Sequence, residues 1–185
     1  MGPWYHGQWG REGFHLGNVY YGSNTSEYFQ DSLEIPFFNY YLLGKGNTDN
    51  VAEANIFFTG ENNWKKFASW PPKNVETQNL FLGGNNKLYL NSPPPRGGDE
   101  FDAYTSDPAH PVPYTQDIHF QRTREYMDDD QRFAERRTDV LTYSTQILDN
   151  DVTLAGPVIA DLMVSLSTTD ADVLVKVMKC FQAAF

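Results

Sequence analysis

The sequence changes its hydrophobic period near Asn47, and this change constrains the fold more than any other feature. Before it, apolar side chains recur at helical spacing; after it, they alternate with polar residues in short runs. Clusters of turn residues separate these runs at intervals of roughly 8 to 15 residues, a pattern typical of antiparallel β-sandwiches. We therefore predict a mainly β chain whose larger part is an antiparallel β-sandwich.

Six runs downstream of this change have the composition of β-strands. They are Ala54–Thr59, Val75–Leu82, Lys87–Leu90, Val140–Ile147, Val158–Ser167 and Val173–Met178. The segment Gly83-Gly84-Asn85-Asn86 predicts a β-hairpin, because glycine and asparagine adopt the left-handed backbone of tight turns. The segment from Asn91 to Tyr114 is too rich in proline to pair inside a sheet, so we expect it to cross the surface.

The first third of the chain predicts one interrupted helix. Asn24 is a candidate N-cap, with Glu27 three residues later as its acidic partner, and Gly44 and Gly46 end the helix. Pro36 lacks an amide hydrogen, so we expect a kink or break near residues 33–35. The apolar stripe consists of Phe29, Leu33, Phe37, Tyr40 and Tyr41. We favour packing of this stripe against a sheet over a ligand-binding surface.

Composition indicates a folded chain and disfavours two classes of partner. Hydrophobic residues make up 40% and aromatic residues 15% of the chain, enough for a packed core. The formal net charge of -10, with only 14 Lys and Arg, argues against nucleic acid and against an anionic membrane. No apolar run approaches the roughly 18 residues of a membrane-spanning helix. Cys180 is the single cysteine, which excludes an internal disulfide framework.

The sequence contains no complete catalytic or cofactor motif. The nucleophile elbow G-x-S-x-G, the P-loop, G-x-G-x-x-G and H-E-x-x-H are all absent. The histidines are His6, His15, His110 and His119, and no two of them have the i, i+4 spacing of a helical metal site. We therefore predict no metal and no cofactor.

One acidic run has a functional and a structural interpretation. Asp128-Asp129-Asp130 supplies the carboxylates that calcium prefers, but the alternating ligands, central glycine and terminal glutamate of an EF-hand are absent. We favour a solvated turn whose charge is balanced by Arg132, Arg136 and Arg137.

Two tryptophans also have two interpretations. Trp64 and Trp70 lie near Asn62, Asn63 and Lys65, a combination that could stack on and hydrogen-bond a sugar ring. Tryptophan in a sandwich more often fills the core or a domain interface, and we favour that structural role.

The segment Gly2-Pro3-Trp4-Tyr5-His6-Gly7-Gln8-Trp9 resembles the GPWxHG segment around the active-site histidine of the CocE/NonD hydrolases, particularly the alpha-amino acid ester hydrolases and glutaryl-7-aminocephalosporanic acid acylases. Further segments resemble this family in the same order over nearly residues 1–178. They are Ser26-Glu27-Tyr28-Phe29, Phe37-Phe38-Asn39-Tyr40-Tyr41-Leu42, Phe58-Thr59-Gly60, Trp70-Pro71-Pro72, Ser106–Tyr114, Asp129–Leu141, Leu154-Ala155-Gly156-Pro157 and Thr169-Asp170-Ala171-Asp172-Val173. Each match is weak alone, but their shared order makes the resemblance specific.

The resemblance implies two domains. Residues 1–46 would be the C-terminal remnant of an α/β-hydrolase catalytic domain, comprising its last loop and helix. Residues 47–185 would be a jelly-roll, galactose-binding-like antiparallel β-sandwich of the Xaa-Pro dipeptidyl-peptidase C-terminal type, incomplete after about residue 178.

The resemblance also implies a catalytic role for His6, as the general base of a serine hydrolase. The triad of this fold runs serine, acid, histidine along the chain, so both partners of His6 are expected upstream. The parent enzyme would act on a small acyl ester, an amide or a peptide through an acyl-serine intermediate, while the chain alone is expected to be inactive. Substrate-binding residues stay unassigned. Relatives are often exported, but the compartment of this chain is not determined by its sequence.

The C-terminal end departs from the resemblance. Relatives usually continue after the strand at Val173–Val177 with an acidic turn and more of the sandwich, whereas this sequence reads Lys179-Cys180-Phe181-Gln182-Ala183-Ala184-Phe185. We therefore expect a shortened sandwich, from a frameshift or a truncated gene, whose open strand edge favours aggregation or pairing with partner chains, including a homo-oligomer. Two alternatives stay open: a stand-alone carbohydrate-binding sandwich, and a structural module that shapes the mouth of a hydrolase site.

Overall fold

The computed structural model describes residues 1–95 and 101–180. Its strands are β1 (His15–Leu16), β2 (Val19–Tyr20), β3 (Ala54–Phe58), β4 (Asn63–Phe67), β5 (Leu80–Gly83) and β6 (Lys87–Leu90). Its helices are α1 (Thr25–Phe29), a π-helical turn (Gln30–Glu34), α2 (Ile35–Leu43) and α3 (Arg132–Glu135), with 3-10 turns at Gln8–Gly10 and Glu125–Met127. Residues 96–100 of the predicted surface crossing and residues 181–185 of the C-terminal departure lie outside the described part.

The strands of the described residues pair as three antiparallel hairpins, β1–β2, β3–β4 and β5–β6. Antiparallel pairing agrees with the predicted mainly β class. The prediction of a strand at Ala54–Thr59 is confirmed to within one residue, and Lys87–Leu90 is confirmed at both ends. The predicted hairpin turn is also confirmed, because Asn85 (φ 59°) and Asn86 (φ 60°) take the left-handed backbone between β5 and β6.

Four predicted strands are wrong in whole or in part. Val75–Leu82 is a strand only from Leu80 onward, and Val140–Ile147 makes a single parallel bridge between Ser144 and Lys87. Val158–Ser167 and Val173–Met178 form no strand in the described structure. The physical reason is that alternation makes a segment compatible with a sheet, while a strand also needs a neighbour to satisfy its amides and carbonyls.

The predicted helix and its interruption are both present. The Asn24 side chain caps α1 by accepting from the Glu27 amide, and Asn24 Nδ2 donates to Glu27 Oε2 at 3.3 Å. The interruption is the π-helical turn Gln30–Glu34, which ends just before Pro36 in the first turn of α2. A wider π turn accommodates a residue that cannot donate to the helical ladder.

The helical stripe divides into a packed half and an exposed half. Leu33 is buried and Phe29 contacts Trp4 edge to face, with ring centroids 5.2 Å apart. In α2 the aromatic rings of Phe37, Phe38, Tyr40 and Tyr41 contact one another. These side chains stay exposed, as do Leu42 and Leu43. Packing of the stripe against a sheet is therefore wrong for α2 within the described residues, because no described strand lies against it.

The core lies between the first helices and the β3–β4 hairpin. Tyr21, Leu33, Ile56 and Phe57 are its buried apolar residues. Trp64 of β4 stacks on Tyr28 (ring centroids 5.2 Å apart) and contacts Phe57 and Trp4. The chain nevertheless exposes 15587 Å², whereas a compact monomer of 21.1 kDa exposes about 9,000 Å². Apolar burial is therefore concentrated in this one region.

Candidate functional site

The segment that precedes α1 is an ordered loop, referred to below as the His6 loop (residues 1–23). Its internal brace is Gln8, whose side chain is 5% exposed. Gln8 Nε2 donates to the carbonyls of His15 (2.7 Å) and Glu12 (3.3 Å), and its Oε1 accepts from the Tyr5 amide (3.3 Å). Because all three bonds end on backbone groups, one side chain fixes the path of the loop on both sides of His6.

Side chains at the start of α1 hold the same loop by hydrogen bonds. Thr25, which is fully buried, accepts from Trp4 Nε1 at 2.8 Å and donates to the Gly13 carbonyl at 2.7 Å. Ser26, also fully buried, donates to the Gln8 carbonyl at 3.2 Å. A Cβ at Gly13 would overlap both hydroxyl-bearing residues, so this close approach requires glycine. Short polar side chains therefore replace the apolar packing found elsewhere in the core.

His6 lies at the outer side of this loop and is exposed. Its ring contacts Trp9 edge to face, with centroids 5.3 Å apart and planes at 87°. No hydrogen bond to the His6 imidazole is found in the described part of the chain. Both ring nitrogens therefore lack a hydrogen-bond partner within the described residues, on a backbone that Gln8 holds in place.

The other three histidines pair with acids instead. His110 Nδ1 lies 2.7 Å from Asp107 Oδ2, and this hydrogen bond is the main reason that the pKa of Asp107 lies below its usual value. His119 Nε2 lies 2.9 Å from Glu125 Oε2 without the geometry of a hydrogen bond, and His15 Nε2 lies 3.7 Å from a glutamate three residues earlier, beyond hydrogen-bond range. The His110 side chain is 81% exposed, so the pair lies on the surface and not in a cleft.

The acidic run is only partly the predicted solvated turn. Asp130 pairs with Arg132, whose hydrogen bonds lower the pKa of Asp130 to about 2. Arg137 pairs instead with Asp139 and lowers the pKa of that carboxyl. Desolvation, followed by the charges of Glu125 and other nearby acids, raises the pKa of Asp129. No group of metal-ligating side chains is found among residues 1–95 and 101–180.

Asp128 departs from that prediction because it binds the His6 loop. Its Oδ2 accepts from the Asn18 amide at 2.6 Å, across 110 positions of sequence. Four residues earlier, the Arg124 guanidinium carbon lies 3.7 Å from the centroid of the Tyr5 ring. Neither contact was anticipated from the sequence, since no local pattern links residues so far apart.

Trp64 fills the core, as favoured from the sequence. Tyr28 stacks on its indole, and Phe57 and Trp4 pack beside it, so this side chain is engaged in aromatic packing. Trp70 packs edge to face on Phe67, with ring centroids 5.5 Å apart. The aromatic side chains near Asn62 and Asn63 therefore stabilise the hairpin.

Two open depressions of ≈ 540 Å³ each lie away from His6. One is lined by Asn86, Arg136 and Ser144 among others, and the second by Tyr114, His119 and Tyr126 among others.

Every helix in the described residues is too short or too polar to span a lipid bilayer.

Known proteins resemble this chain over most of its length. Residues 39–182 match the family described as the X-Pro dipeptidyl-peptidase C-terminal non-catalytic domain. Cocaine esterase of Rhodococcus sp. (strain MB1 Bresler) is 30% identical over 159 residues, which cover 81% of this chain and 27% of the esterase.

Two solved structures are similar in fold. The structure of an alpha-amino acid ester hydrolase has a TM-score of 0.74 at 32% identity, over 84% of this chain and 27% of the hydrolase. An aminopeptidase from the marine sediment archaeon Thaumarchaeota archaeon has a TM-score of 0.66 at 34% identity, over 78% of this chain and 24% of its own. The chain thus spans about a quarter of the length of the relatives that it matches.

Proposed function

Because this chain belongs to the family of X-Pro dipeptidyl-peptidase C-terminal non-catalytic domains, within the CocE/NonD hydrolases, we propose that it is the C-terminal part of a serine hydrolase that acts on ester or amide bonds. His6 is the general base in this proposal. The substrate class is a small acyl ester, an amide or a peptide. The names of the relatives, an esterase, an ester hydrolase and an aminopeptidase, support that range without narrowing it.

The observation that carries the proposal is the way the His6 loop presents its histidine. The backbone on both sides of His6 is held by the buried Gln8, while the imidazole is exposed and makes no hydrogen bond within the described residues. A general base needs a fixed position and an unoccupied nitrogen. The Gln8 brace holds the backbone beside His6, and no described residue hydrogen-bonds its ring. His110, by contrast, is bonded to Asp107, and His15 and His119 each lie beside a carboxylate.

The chemistry follows from the geometry of a histidine held in this way. One ring nitrogen would take the proton of a serine hydroxyl as its oxygen bonds to the substrate carbonyl carbon, and would return that proton to the leaving oxygen or nitrogen. A carboxylate on the other ring nitrogen would hold the tautomer. Serine and carboxylate are proposed to come from the catalytic domain, because the sequence has no nucleophile elbow.

We propose the same division of the chain that the sequence suggests, with residues 1–46 completing the hydrolase domain and residues 47–185 forming the jelly-roll domain. The exposed aromatic side chains of α2 are the support for this division, because a catalytic domain offers them an apolar surface to cover. The packing of Trp64 on Tyr28 would then be a contact between the two domains.

A chimera tests this function directly. In the alpha-amino acid ester hydrolase, this chain would replace the corresponding 27% of the enzyme, and hydrolysis of a chromogenic amino acid ester would be followed. We expect an active chimera in which His6→Ala lowers kcat/KM by about 10⁴-fold or more. His110→Ala is the matched control, since that histidine is paired on the surface, and it should leave activity unchanged.

Two outcomes would contradict the proposal. One is an active chimera that keeps its activity in the His6→Ala variant. The other is a chimera that melts cooperatively, is labelled by a fluorophosphonate at its serine, and yet depends on His110 as strongly as on His6.

A further inference from the structure

We infer that Arg124 and Asp128 are positioning residues that hold the His6 loop in place, so that the second half of the chain sets the position of the proposed general base. The inference rests on the proposed role of His6. The segment Arg124–Asp128 is called the clamp below.

Asp128 is the polar half of the clamp. Its carboxylate accepts the Asn18 amide at 2.6 Å at the tip of the β1–β2 hairpin, and a charged acceptor makes this bond stronger than one between neutral groups. Gly17, with φ at +52°, lies beside the carboxylate, and a Cβ there would overlap it. The hairpin tip is therefore shaped to receive Asp128. The Asp128 charge also helps burial to raise the pKa of Tyr21, which places the carboxylate close to the core.

Arg124 is the half of the clamp that contacts an aromatic ring. Its guanidinium carbon lies 3.7 Å from the centroid of Tyr5, within the range of a cation–π contact. Tyr5 is the residue before His6, and its amide and carbonyl are both bonded to Gln8. Restraining the Tyr5 ring therefore restrains the backbone from which the imidazole projects.

The two halves are held at a constant spacing. They flank the 3-10 turn Glu125–Met127, in which the Met127 amide donates to the Arg124 carbonyl (3.1 Å) and the Asp128 amide to the Glu125 carbonyl (3.0 Å). On the loop, Gln8 joins the two points of attachment, because it bonds Tyr5 at one end and the His15 carbonyl of β1 at the other. One rigid turn thus holds one braced loop at two places.

Neighbouring residues of the same types do not take part in the clamp. Arg122 lies over the Tyr126 ring at 5.4 Å and donates to its hydroxyl, and Asp130 pairs with Arg132. These two residues are matched controls, since each carries the same charge two positions away from its counterpart in the clamp. Displacing a catalytic group by about 1 Å can lower the reaction rate about 10²-fold. Residues that hold the general base in position therefore affect the rate.

The test uses the 185-residue chain itself. Arg124→Met and Asp128→Ala are compared with Arg122→Met and Asp130→Ala by amide hydrogen exchange and by NMR of the histidine rings. Asp128→Ala should speed exchange of the Asn18 amide by about tenfold, because its charged acceptor is lost. Arg124→Met should move the His6 ring resonances toward those of an unfolded peptide, and Arg124→Lys should restore them, because an ammonium can also lie over Tyr5.

The controls separate positioning from general loss of structure. Arg122→Met and Asp130→Ala should leave both signals unchanged, and near-ultraviolet circular dichroism of the Trp4–Trp64 cluster should be the same in every variant. Unchanged exchange at Asn18 in Asp128→Ala would overturn the inference. An equal perturbation of His6 by Arg122→Met and Arg124→Met would overturn it as well.

The clamp and the proposed catalytic role of His6 can be tested independently. His6→Ala removes the proposed base but no atom of the clamp, so Asn18 should exchange as slowly as in the unsubstituted chain. If the clamp variants behave as expected while the chimera does not need His6, only the catalytic role fails.

Discussion

Residues 1–70 and residues 101–180 contain similar fractions of apolar residues but differ in how many of these residues are buried. The first region contains the buried residues Tyr21, Leu33, Ile56 and Phe57 and two of the three hairpins. In the second, Thr115 is the one buried residue among those described, and Ser144 makes the one bridge to a strand. Alternating apolar residues thus produced a packed hairpin in one region and an extended, exposed chain in the other.

The two regions differ in whether each apolar segment has a paired strand and an element that covers it. The strands β3 and β4 are joined by a short turn and pair along their whole length, with Phe57 opposite Trp64. Their buried face meets α1 through Tyr28 and the His6 loop through Trp4 and Tyr21. Segments such as residues 158–167 have no such neighbour, and a strand without a paired edge gains little from its apolar side chains. A hairpin partner, together with a second element that covers one face of the hairpin, therefore decides where this chain forms a core.

The largest test of the comparison uses two phenylalanines. Phe57 is 7% exposed and touches Tyr21 and Trp64, so Phe57→Ala should destabilise the first region by about 3 to 5 kcal/mol. Phe120 is fully exposed (109%), so Phe120→Ala should leave stability within about 0.5 kcal/mol. Denaturant unfolding followed through the tryptophan signal measures both. Similar costs for the two variants would mean that the second region has a core too.

A smaller effect is expected from two threonines. Thr25→Val removes the acceptor of Trp4 Nε1 and the donor to the Gly13 carbonyl inside a fully buried site, at a cost of about 1 to 3 kcal/mol. Thr168 donates to the Asp170 carbonyl on the surface, and Thr168→Val should have almost no effect. Thermal melts of the two variants provide the comparison. An unchanged melting temperature for Thr25→Val would show that the Thr25 hydrogen bonds do not stabilise the His6 loop.

The two regions should respond differently to alkaline pH, because each contains a tyrosine whose pKa is raised. Burial, with the Asp128 charge, raises the pKa of Tyr21 above 10.0, and burial, with the hydrogen bond to Asp102, raises the pKa of Tyr143 to about 12. A raised pKa means that the folded state holds the proton more tightly. Its stabilisation is therefore complete below pH 10 and is lost as the pH rises through the raised value.

We expect Tyr21→Phe to reduce the alkaline loss of the Trp4–Trp64 signal, because no tyrosinate then forms in the core. Tyr143→Phe should leave that signal unaltered, since the Tyr143 hydroxyl donates to Asp102, which also lies in the second region. Tyrosinate absorbance and circular dichroism in parallel titrations measure the two effects. Equal responses would show that the regions do not unfold separately.

Local features of the chain were predictable from its sequence. The Asn24 cap, the interruption before Pro36 and the turn at Asn85 and Asn86 each depend on residues within a few positions of one another. Such features follow from backbone chemistry alone. The role of Trp64 as a packed side chain was likewise favoured on its residue type.

Features that depend on distant partners were not predictable. Asp128 was interpreted as part of a solvated turn because nothing near it indicates the Asn18 amide 110 positions away. Gln8 has no sequence signal for a buried brace, since an isolated glutamine is usually exposed. The resemblance was enough to propose His6 as the general base, but the groups that hold its loop could not be predicted from the sequence.

Amide hydrogen exchange across the whole chain tests the central claim most directly, namely that the ordered core surrounds the His6 loop. We predict slow exchange in β3, β4 and the Gln8 and Thr25 amides, and fast exchange throughout residues 158–178. Exchange in residues 158–178 as slow as in β3, or fast exchange at Gln8 and Thr25, would contradict the account.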